Sequence, residues 1–421
     1  MLKEADLGCF SAVILEEVLV KKKNINKYRR VVGAEVIGDL KSFSSPLKGK
    51  RVVHINSTAN GGGVAEILMS LVPLQRSLGV DSRWFVVNPP AKFFEITKKF
   101  HNALQGANIK FSKSELDYYL KINKQFGRAL KDIKADLFVI HDPQPLASWH
   151  FAGRLEPAIA RIHIDLSTPN KQLLKFLLPY LNEYDKVIFS LNSFVPKGLP
   201  VSKVAIIPPA IDPLVPKNEP MNLKAARKVL AGLGIDIERP IVAQVSRFDP
   251  WKDPTGVINA YRLAKKKIVG LQLILLGNAT AKDDPESAMM IEKVKKHAGE
   301  DPDIHLVNVD NNMLVNAVQT GADIVLQKSI REGFGLTATE ALWKGKPVIA
   351  GNVGGLALQI DNPHNGILVE KSTTAAEAIV KLFNDKSFAA ELGREAHKSV
   401  LKNYLITRLL RDHHRLYRSL I

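Results

Sequence analysis

Two glutamates, Glu332 and Glu340, flank a glycine-containing turn in the segment EGFGLTATE. The segment follows an apolar strand pattern and begins a helical one, so the turn lies at a strand-to-helix junction. Gly333 and Gly335 let backbone N–H groups approach a ligand, and the partial positive charge of a helix N-terminus suits a diphosphate. Ionised carboxylates accept hydrogen bonds from hydroxyl groups, so the pair predicts a site that also holds sugar or ribose hydroxyls. The alternative is a structural turn with Glu332 near the cap and Glu340 on a solvated face.

A pair of basic residues, Arg247 and Lys252, lies in the segment SRFDPWKD, directly after the strand pattern IVAQV. Two cations at a strand end can neutralise the negative charge that accumulates on a departing nucleoside diphosphate. Taken alone, an arginine and a lysine in a loop are more commonly solvated surface charges. Their combination with residues 332–340 favours one shared diphosphate site.

A run of three glycines lies in residues 60–66, NGGGVAE, soon after the strand pattern RVVHINS. Gly62 and Gly63, at a strand-to-helix turn, permit the backbone to approach a phosphate or a sugar closely. A dinucleotide-binding turn stays open as an alternative, although the run does not give G-x-G-x-x-G. Glu66 is interpreted as a carboxylate in the first turn of a helix.

Two further strand patterns end in histidine and aspartate, at HDPQP (141–145) and RIHIDLS (161–167). The carboxyl ends of parallel strands face the ligand crevice of an open sheet, so His141, Asp142, His163 and Asp165 are expected there. A histidine and a carboxylate in that place can orient sugar hydroxyls. The alternative is that each histidine is a buried structural residue with satisfied hydrogen bonds.

The whole chain alternates strand and helix patterns, first from Arg51 to about residue 207 and again from about residue 240. At 421 residues it exceeds what one core usually organises, so two doubly wound α/β domains facing across a cleft are predicted. Prolines cluster at 208–218, which is the expected hinge. The predicted domains are residues 1–210 and 211–399, with a helix at about 400–421 packing back onto the first domain.

The segment EGFGLTATEALWKGKPVIAGNVGG, with SRFDPWKD, resembles the retaining nucleotide-sugar glycosyltransferases of the GT-B fold, which include sucrose, glycogen and trehalose synthases. The resemblance extends over residues 50 to 400. In that family the first glutamate holds donor-sugar hydroxyls, the second holds the ribose, and the arginine and lysine clamp the diphosphate. This sequence departs from the family pattern Gly-Arg-x-x-x-x-Lys-Gly at Ser246 and Asp253.

The resemblance implies a role for each candidate site residue. The implied catalytic residues are Arg247, Lys252, Glu332 and His163, and the implied donor-binding residues are Gly62, Gly63, Arg247, Lys252, Glu332, Gly333, Phe334, Gly335, Leu336 and Glu340. The acceptor is expected at Asp142 and His141. The implied chemistry is transfer of glucose with retention, the leaving phosphate oxygen serving as the base, and no obvious carboxylate nucleophile supports a covalent route.

Residues 52–66, HDPQP and HIDLS are most similar to the glycosyltransferring trehalose synthases, which join glucose from UDP- or ADP-glucose to free glucose. The resemblance therefore implies α,α-trehalose as product. Acceptors of the sucrose, glucan, sugar-phosphate or lipid-sugar type stay open inside the same fold. No resident cofactor or metal site is expected, although Mg²⁺ could accompany the nucleotide.

Composition limits the remaining classes of function. The net charge of +17 favours anionic partners, so a polyanion-binding protein is the alternative of a different class. Aromatic residues are only 7% and are not interleaved with basic ones, which argues against a nucleic-acid partner. A single cysteine, Cys9, and the absence of an apolar run long enough to span a bilayer favour a cytoplasmic protein without a membrane span. A homodimer is one assembly that stays open.

Overall fold

The computed structural model describes residues 14–153, 156–277 and 286–421, so Cys9 lies outside the described residues. Within these ranges the chain forms two mainly parallel sheets. Neighbouring strand residues enter different cores: Phe138 and Ile140 face one core, while Leu137 and Val139 face another. Both faces of the first sheet are therefore buried, as in a doubly wound fold. This confirms the predicted α/β class.

The first sheet has the strand order β1-β3-β2-β4-β5-β6-β7, and only its edge strand β1 runs antiparallel to its neighbour among the described pairs. Its strands are β1 Leu15–Glu17, β2 Arg51–Asn56, β3 Asp81–Val87, β4 Leu137–His141, β5 Ala158–Arg161, β6 Lys186–Phe189 and β7 Val204–Ile206. Its helices are α1 Arg29–Ser44, α2 Gly63–Ser77, α3 Ala91–Leu104, α4 Lys113–Leu130, α5 Ser148–Ala152 and α6 Lys171–Leu181, with short 3₁₀ helices at Ile25–Tyr28, Ser45–Leu47, Asn192–Phe194 and Val201–Lys203.

The second sheet has the order β10-β9-β8-β11-β12-β13, and every described pair in it is parallel. Its strands are β8 Ile241–Val245, β9 Gln272–Gly277, β10 Ile304–Asn308, β11 Ile324–Gln327, β12 Val348–Gly351 and β13 Ile367–Val369. Its helices are α7 Leu223–Ala231, α8 Pro254–Lys265, α9 Glu286–Ala298, α10 Asn312–Gly321, α11 Leu336–Trp343, α12 Gly354–Gln359, α13 Ser372–Asn384 and α14 Lys386–Asn403, with a 3₁₀ helix at Pro250–Lys252.

The chain crosses between the two sheets twice, and the crossings are hydrogen-bonded to each other. The N–H of Ile211 donates to the carbonyl of Tyr404 (2.9 Å), and the N–H of Ile406 donates to the carbonyl of Ile211 (2.8 Å). After the second crossing, helix α15 (Ile406–Tyr417) buries Leu410 and its apolar neighbours in the first domain's core with α2. The domain boundaries at 210 and 399 stay predictions. The hinge at 208–218 also stays a prediction, because a hinge is defined by the motion of the domains.

The order of strands reverses between β2 and β4 in the first sheet and between β8 and β11 in the second. Adjacent loops diverge at such a switch point and leave a crevice outside the carboxyl ends of the strands. The segments that follow these four strands contain candidate site residues predicted from the sequence. They are residues 57–63, 142–145, 246–253 and 328–335. Topology therefore brings the candidate residues to two facing crevices.

Candidate functional site

The loop after β8 carries Arg247 and Lys252 and is held by Asp249. The buried Asp249 carboxylate accepts hydrogen bonds from the Trp251 N–H (2.8 Å) and lies 3.4 Å from Arg247 Nη2. The carbonyl of Lys252 accepts a hydrogen bond from the Gln244 side chain on β8 (2.8 Å). Both cations thus lie on a short segment whose backbone is fixed to the sheet.

Asp253, which replaces the family's glycine, adopts the left-handed conformation with φ 48°. Its carboxylate caps helix α8 by accepting from the Gly256 N–H (3.0 Å), and it forms a salt bridge with the buried Lys328 at the end of β11. Aspartate tolerates this backbone region better than most residues when its side chain is hydrogen-bonded locally. The loop therefore keeps a conformation that favours glycine, despite the substitution.

Lys252 and Glu332 meet across the second sheet's switch point. Lys252 Nζ lies 2.5 Å from Glu332 Oε2, and the Ser329 hydroxyl donates to the same oxygen (3.1 Å). The Lys252 side chain is 17% exposed and that of Glu332 is 8% exposed. A shielded pair of this kind places one donor and one acceptor next to each other at the crevice.

The turn after Glu332 contacts the first domain. A Cβ atom on Gly333 would lie 2.5 Å from the backbone oxygen of His163, a distance that real Cβ atoms do not adopt. Gly335 has φ 90° and is the N-cap residue of α11. On the other side of the cleft, a Cβ on Gly63 would lie 3.1 Å from Leu336 Cδ1, so the glycine run also faces this turn. Gly62 immediately precedes α2 as its N-cap residue and is exposed.

Two of the predicted donor-binding side chains lie inside the protein. Phe334 is buried and its ring contacts that of Tyr404, with centroids 5.6 Å apart, so only its backbone faces the turn. The Glu340 side chain is fully buried, with Oε1 2.5 Å from Lys217 Nζ and Oε2 accepting from Gln319 Nε2 (3.4 Å). Its predicted contact with ribose stays a prediction.

Lys217 joins the two domains through carboxylates from each. Besides Glu340 on α11, its Nζ lies 2.6 Å from Glu66 in the first turn of α2. Burial by itself lowers the pKa of Lys217, but the charges of Glu340 and Glu66 outweigh it and raise the pKa overall. The lysine is charged and ties the hinge segment to both walls of the cleft.

The first domain's wall of the cleft is formed by the segments after β4 and β5. Asp142 has φ 63° and accepts a hydrogen bond from the His163 N–H at 2.7 Å. Burial raises the pKa of Asp142 to about 7, although that hydrogen bond and the charge of Arg161 act in the opposite direction. Asp142 therefore changes charge in the neutral pH range.

His141 and His163 are hydrogen-bonded to each other, with His141 Nδ1 3.0 Å from His163 Nε2. His141 is buried, whereas His163 is partly exposed. Burial is the largest cause that lowers the pKa of both rings well below the usual value, so both are neutral. His141 thus contacts His163 and supports it from behind.

The sequence did not identify Arg331, which bridges the cleft. Its guanidinium donates to Ser167 Oγ (3.2 Å) and Thr168 Oγ1 (2.6 Å), and it lies 3.7 Å from the buried carboxylate of Asp165. Arg331 directly precedes Glu332, so its position in the sequence was the available signal. Lys217 carried no such signal, because nothing in the proline-rich hinge marks it.

Within residues 14–153, 156–277 and 286–421, no group of three or more His, Cys, Asp or Glu side chains is arranged to hold a metal ion. In the same part of the chain, no helix is both long and apolar enough to cross a membrane.

The two facing sheets form a GT-B fold, and the match of residues 227–399 to glycosyl transferases group 1 gives the class of protein as a glycosyltransferase. The UDP-forming α,α-trehalose-phosphate synthase of Burkholderia xenovorans superposes with a TM-score of 0.71 at 15% identity, covering 88% of this chain and 100% of that chain. Residues 54–196 match the family described as trehalose synthase, N-terminal domain, and residues 227–399 match glycosyl transferases group 1.

Relatives that match over most of their length identify the family within this class of protein. The trehalose synthase of Rubrobacter xylanophilus is 44% identical over 416 residues, which cover 97% of this chain and 100% of that protein. The trehalose synthase of Pyrococcus horikoshii is 43% identical over 392 residues, covering 92% and 94%. The chain belongs to the trehalose synthase family. A trehalose phosphorylase of Grifola frondosa is 28% identical over 428 residues, covering 90% of this chain and 58% of that protein.

Proposed function

We propose that the protein transfers glucose, with retention, from a nucleoside diphosphate glucose such as UDP- or ADP-glucose to free glucose, forming α,α-trehalose. The observation that carries the proposal is the Lys252–Glu332 pair, held beside the Gly333 turn that contacts His163. A cation, a carboxylate, a helix N-terminus and a neutral imidazole then surround one space between the domains. Such groups can stabilise the charge that develops when a glycosyl group leaves a diphosphate.

The second domain neutralises the negative charge of the donor's diphosphate. Arg247 and Lys252 neutralise the diphosphate as the bond between the anomeric carbon and the phosphate oxygen breaks, and the N-terminus of α11 adds partial positive charge. Glu332 accepts hydrogen bonds from donor-sugar hydroxyls. Any Mg²⁺ would enter bound to the diphosphate.

The acceptor is bound by the first domain. Its hydroxyl attacks the anomeric carbon from the face that the phosphate leaves, and its proton passes to the departing phosphate oxygen. His163 contacts the donor sugar, and Asp142 with His141 behind it orients the acceptor. When Asp142 is ionised, its carboxylate disfavours a phosphorylated acceptor on this side of the cleft, because like charges repel. Free glucose fits this wall better than a sugar phosphate.

Product analysis tests the proposal directly. The purified protein is incubated with UDP- or ADP-glucose and, in separate reactions, with glucose, fructose, glucose 6-phosphate and a glucan primer. The expected result is α,α-trehalose from glucose, lost in Glu332→Ala and retained in Glu391→Ala, whose side chain is exposed on α14. Transfer only to another acceptor would overturn the proposal that α,α-trehalose is the product.

Two further outcomes would overturn the proposal more broadly. Phosphate-dependent breakdown of trehalose without any use of a nucleotide sugar would identify a phosphorylase instead. Absence of turnover with every donor, together with salt-sensitive binding to nucleic acid or polyphosphate, would favour the polyanion-binding alternative.

A further inference from the structure

A ladder of hydrogen bonds runs from the interior of the first domain to His163 at the cleft. His54 on β2 and His141 at the end of β4 are joined by His54 Nδ1 and His141 Nε2 at 3.1 Å, and His141 Nδ1 is 3.0 Å from His163 Nε2. At the inner end, His54 Nε2 lies 3.1 Å from Gln75 Oε1 on α2. The ladder continues across adjacent strands because β2 and β4 are paired, with Ile55 opposite Ile140.

The carbonyl oxygen of Gln75 fixes the direction of every bond in this ladder. A carbonyl only accepts, so His54 must carry its proton on Nε2 and its Nδ1 must be an acceptor. His141 then donates through Nε2 and accepts through Nδ1, which requires His163 to donate through Nε2. The Nδ1 atom of His163 is left without a proton, and it makes no hydrogen bond within residues 14–153, 156–277 and 286–421.

A second contact fixes the place of the Gln75 amide oxygen. The Ser82 hydroxyl on β3 donates to the same Oε1 atom at 2.7 Å, so two donors converge on this oxygen, while the buried Nε2 atom of Gln75 makes no hydrogen bond in the described part of the chain. Gln75, His54 and Ser82 are each fully buried. A buried amide oxygen that accepts from both Ser82 and His54 can impose one arrangement on the rings beyond it.

We propose that Gln75 and His54 are positioning residues that hold His163 as the Nε2–H tautomer, so that its Nδ1 atom accepts a hydrogen bond from a sugar hydroxyl. The identity of the ligand rests on the proposed function, whereas the ladder of hydrogen bonds does not depend on it. The surroundings favour neutral rings: burial is the main cause that lowers the pKa of all three histidines, and the charge of Arg161 lowers the pKa of His141 and His163 further. Neutral rings are what a ladder of single N–H···N bonds requires.

The ladder can be read directly by NMR. Long-range ¹H–¹⁵N spectra of the full chain, selectively labelled at histidine, distinguish Nε2–H from Nδ1–H tautomers and from the imidazolium form. His54, His141 and His163 are assigned by single substitution to glutamine. Three neutral Nε2–H tautomers are expected. An Nδ1–H tautomer or an imidazolium at His163 would overturn the proposal, whatever reaction the protein catalyses.

Variants of Gln75 test the consequence for turnover. Gln75→Glu keeps an acceptor facing His54 and should preserve the tautomers and most of kcat/KM, whereas Gln75→Leu removes it and should lower kcat/KM by about five- to tenfold. Gln272→Leu, at an equally buried glutamine on β9, is the matched control and should leave the tautomers unchanged. Unchanged tautomers and unchanged kcat/KM in Gln75→Leu would contradict the proposal. If Gln75→Leu does not fold, the wild-type and Gln75→Glu spectra still decide.

Discussion

The ammonium of Lys217 lies 2.5 Å from the carboxylate of Glu340, whose side chain is fully buried between the hinge and helix α11. A second carboxylate, Glu66 of the first domain, lies 2.6 Å from the same ammonium. Lys217 therefore links the first domain to Glu340, a residue that the family resemblance assigns to the nucleotide. A buried ion pair matters most when one partner is removed, because the other charge is left without compensation.

Lys217→Met should lower the free energy of unfolding by about 3 kcal/mol or more, since Glu340 would remain charged and buried. Chemical denaturation followed by circular dichroism measures the change. The double variant Lys217→Met with Glu340→Gln should recover much of the loss. Lys224→Met, at an exposed lysine on α7, is the control and should change stability little. A Lys217→Met protein as stable as wild type would contradict a stabilising role for this ion pair.

Lys252→Met should lower kcat by at least about a hundredfold, because the variant loses the cation that meets the departing diphosphate. The variant should still fold, with a reduced free energy of unfolding, since Glu332 loses its ion-pair partner but keeps the hydrogen bond from Ser329 (3.1 Å). Steady-state kinetics of nucleoside diphosphate release measures the effect. Lys266→Met, at an exposed lysine just beyond α8, should keep wild-type kinetics. Equal loss in both variants would mean that the effect is not specific to the cleft.

Gly333→Ala should impair turnover because it disturbs the contact between the Gly333 turn and the first domain. The added Cβ would lie 2.5 Å from the His163 carbonyl, so the turn and the first domain must move apart. We expect kcat/KM to fall by at least about tenfold, as small misplacements at a reacting centre are costly. Gly38→Ala, on α1 with no atom within 4 Å of the new Cβ, is the matched control and should be neutral or slightly stabilising. Wild-type kinetics in Gly333→Ala would show that turnover does not depend on the contact between Gly333 and His163.

Asp142→Asn should change how stability depends on pH. The pKa of Asp142 is about 7 in the folded protein and about 4 when unfolded, so the folded state binds the proton more tightly. The free energy of unfolding of the wild type should therefore fall relative to the variant as pH rises from about 4 to 7 and then level off. Above pH 7 the variant should be more stable by at least about 1 kcal/mol.

Thermal and chemical unfolding at pH 4.5 and pH 8.5 measure this difference between Asp142→Asn and wild type. Asparagine tolerates the left-handed backbone at this position and keeps an oxygen for the His163 N–H, so packing should be preserved. Asp117→Asn, at an exposed aspartate on α4, should show no such dependence on pH. A constant difference between Asp142→Asn and wild type at both pH values would refute the raised pKa.

The residues that sequence reasoning placed in the site are those that mark strand ends and helix starts. Glu332 and Lys252 are 80 residues apart in sequence, yet each could be identified locally, and the doubly wound topology brings them together. Asp253 could also be flagged, because it occupies the family's glycine position. Its compensating partner Lys328 could not, since the pairing depends on how β11 lies beside β8.

By itself the sequence determined the α/β class, the two alternations of strand and helix, and the turns that carry Arg247, Glu332 and His163, because hydrophobic period and glycine placement act over a few residues. Only the tertiary structure decided which side chains became partners. The burial of Glu340 against Lys217 and the histidine ladder from Gln75 to His163 depend on domain packing and strand register. Such contacts join residues far apart in sequence, and their geometry is fixed only when both cores are packed.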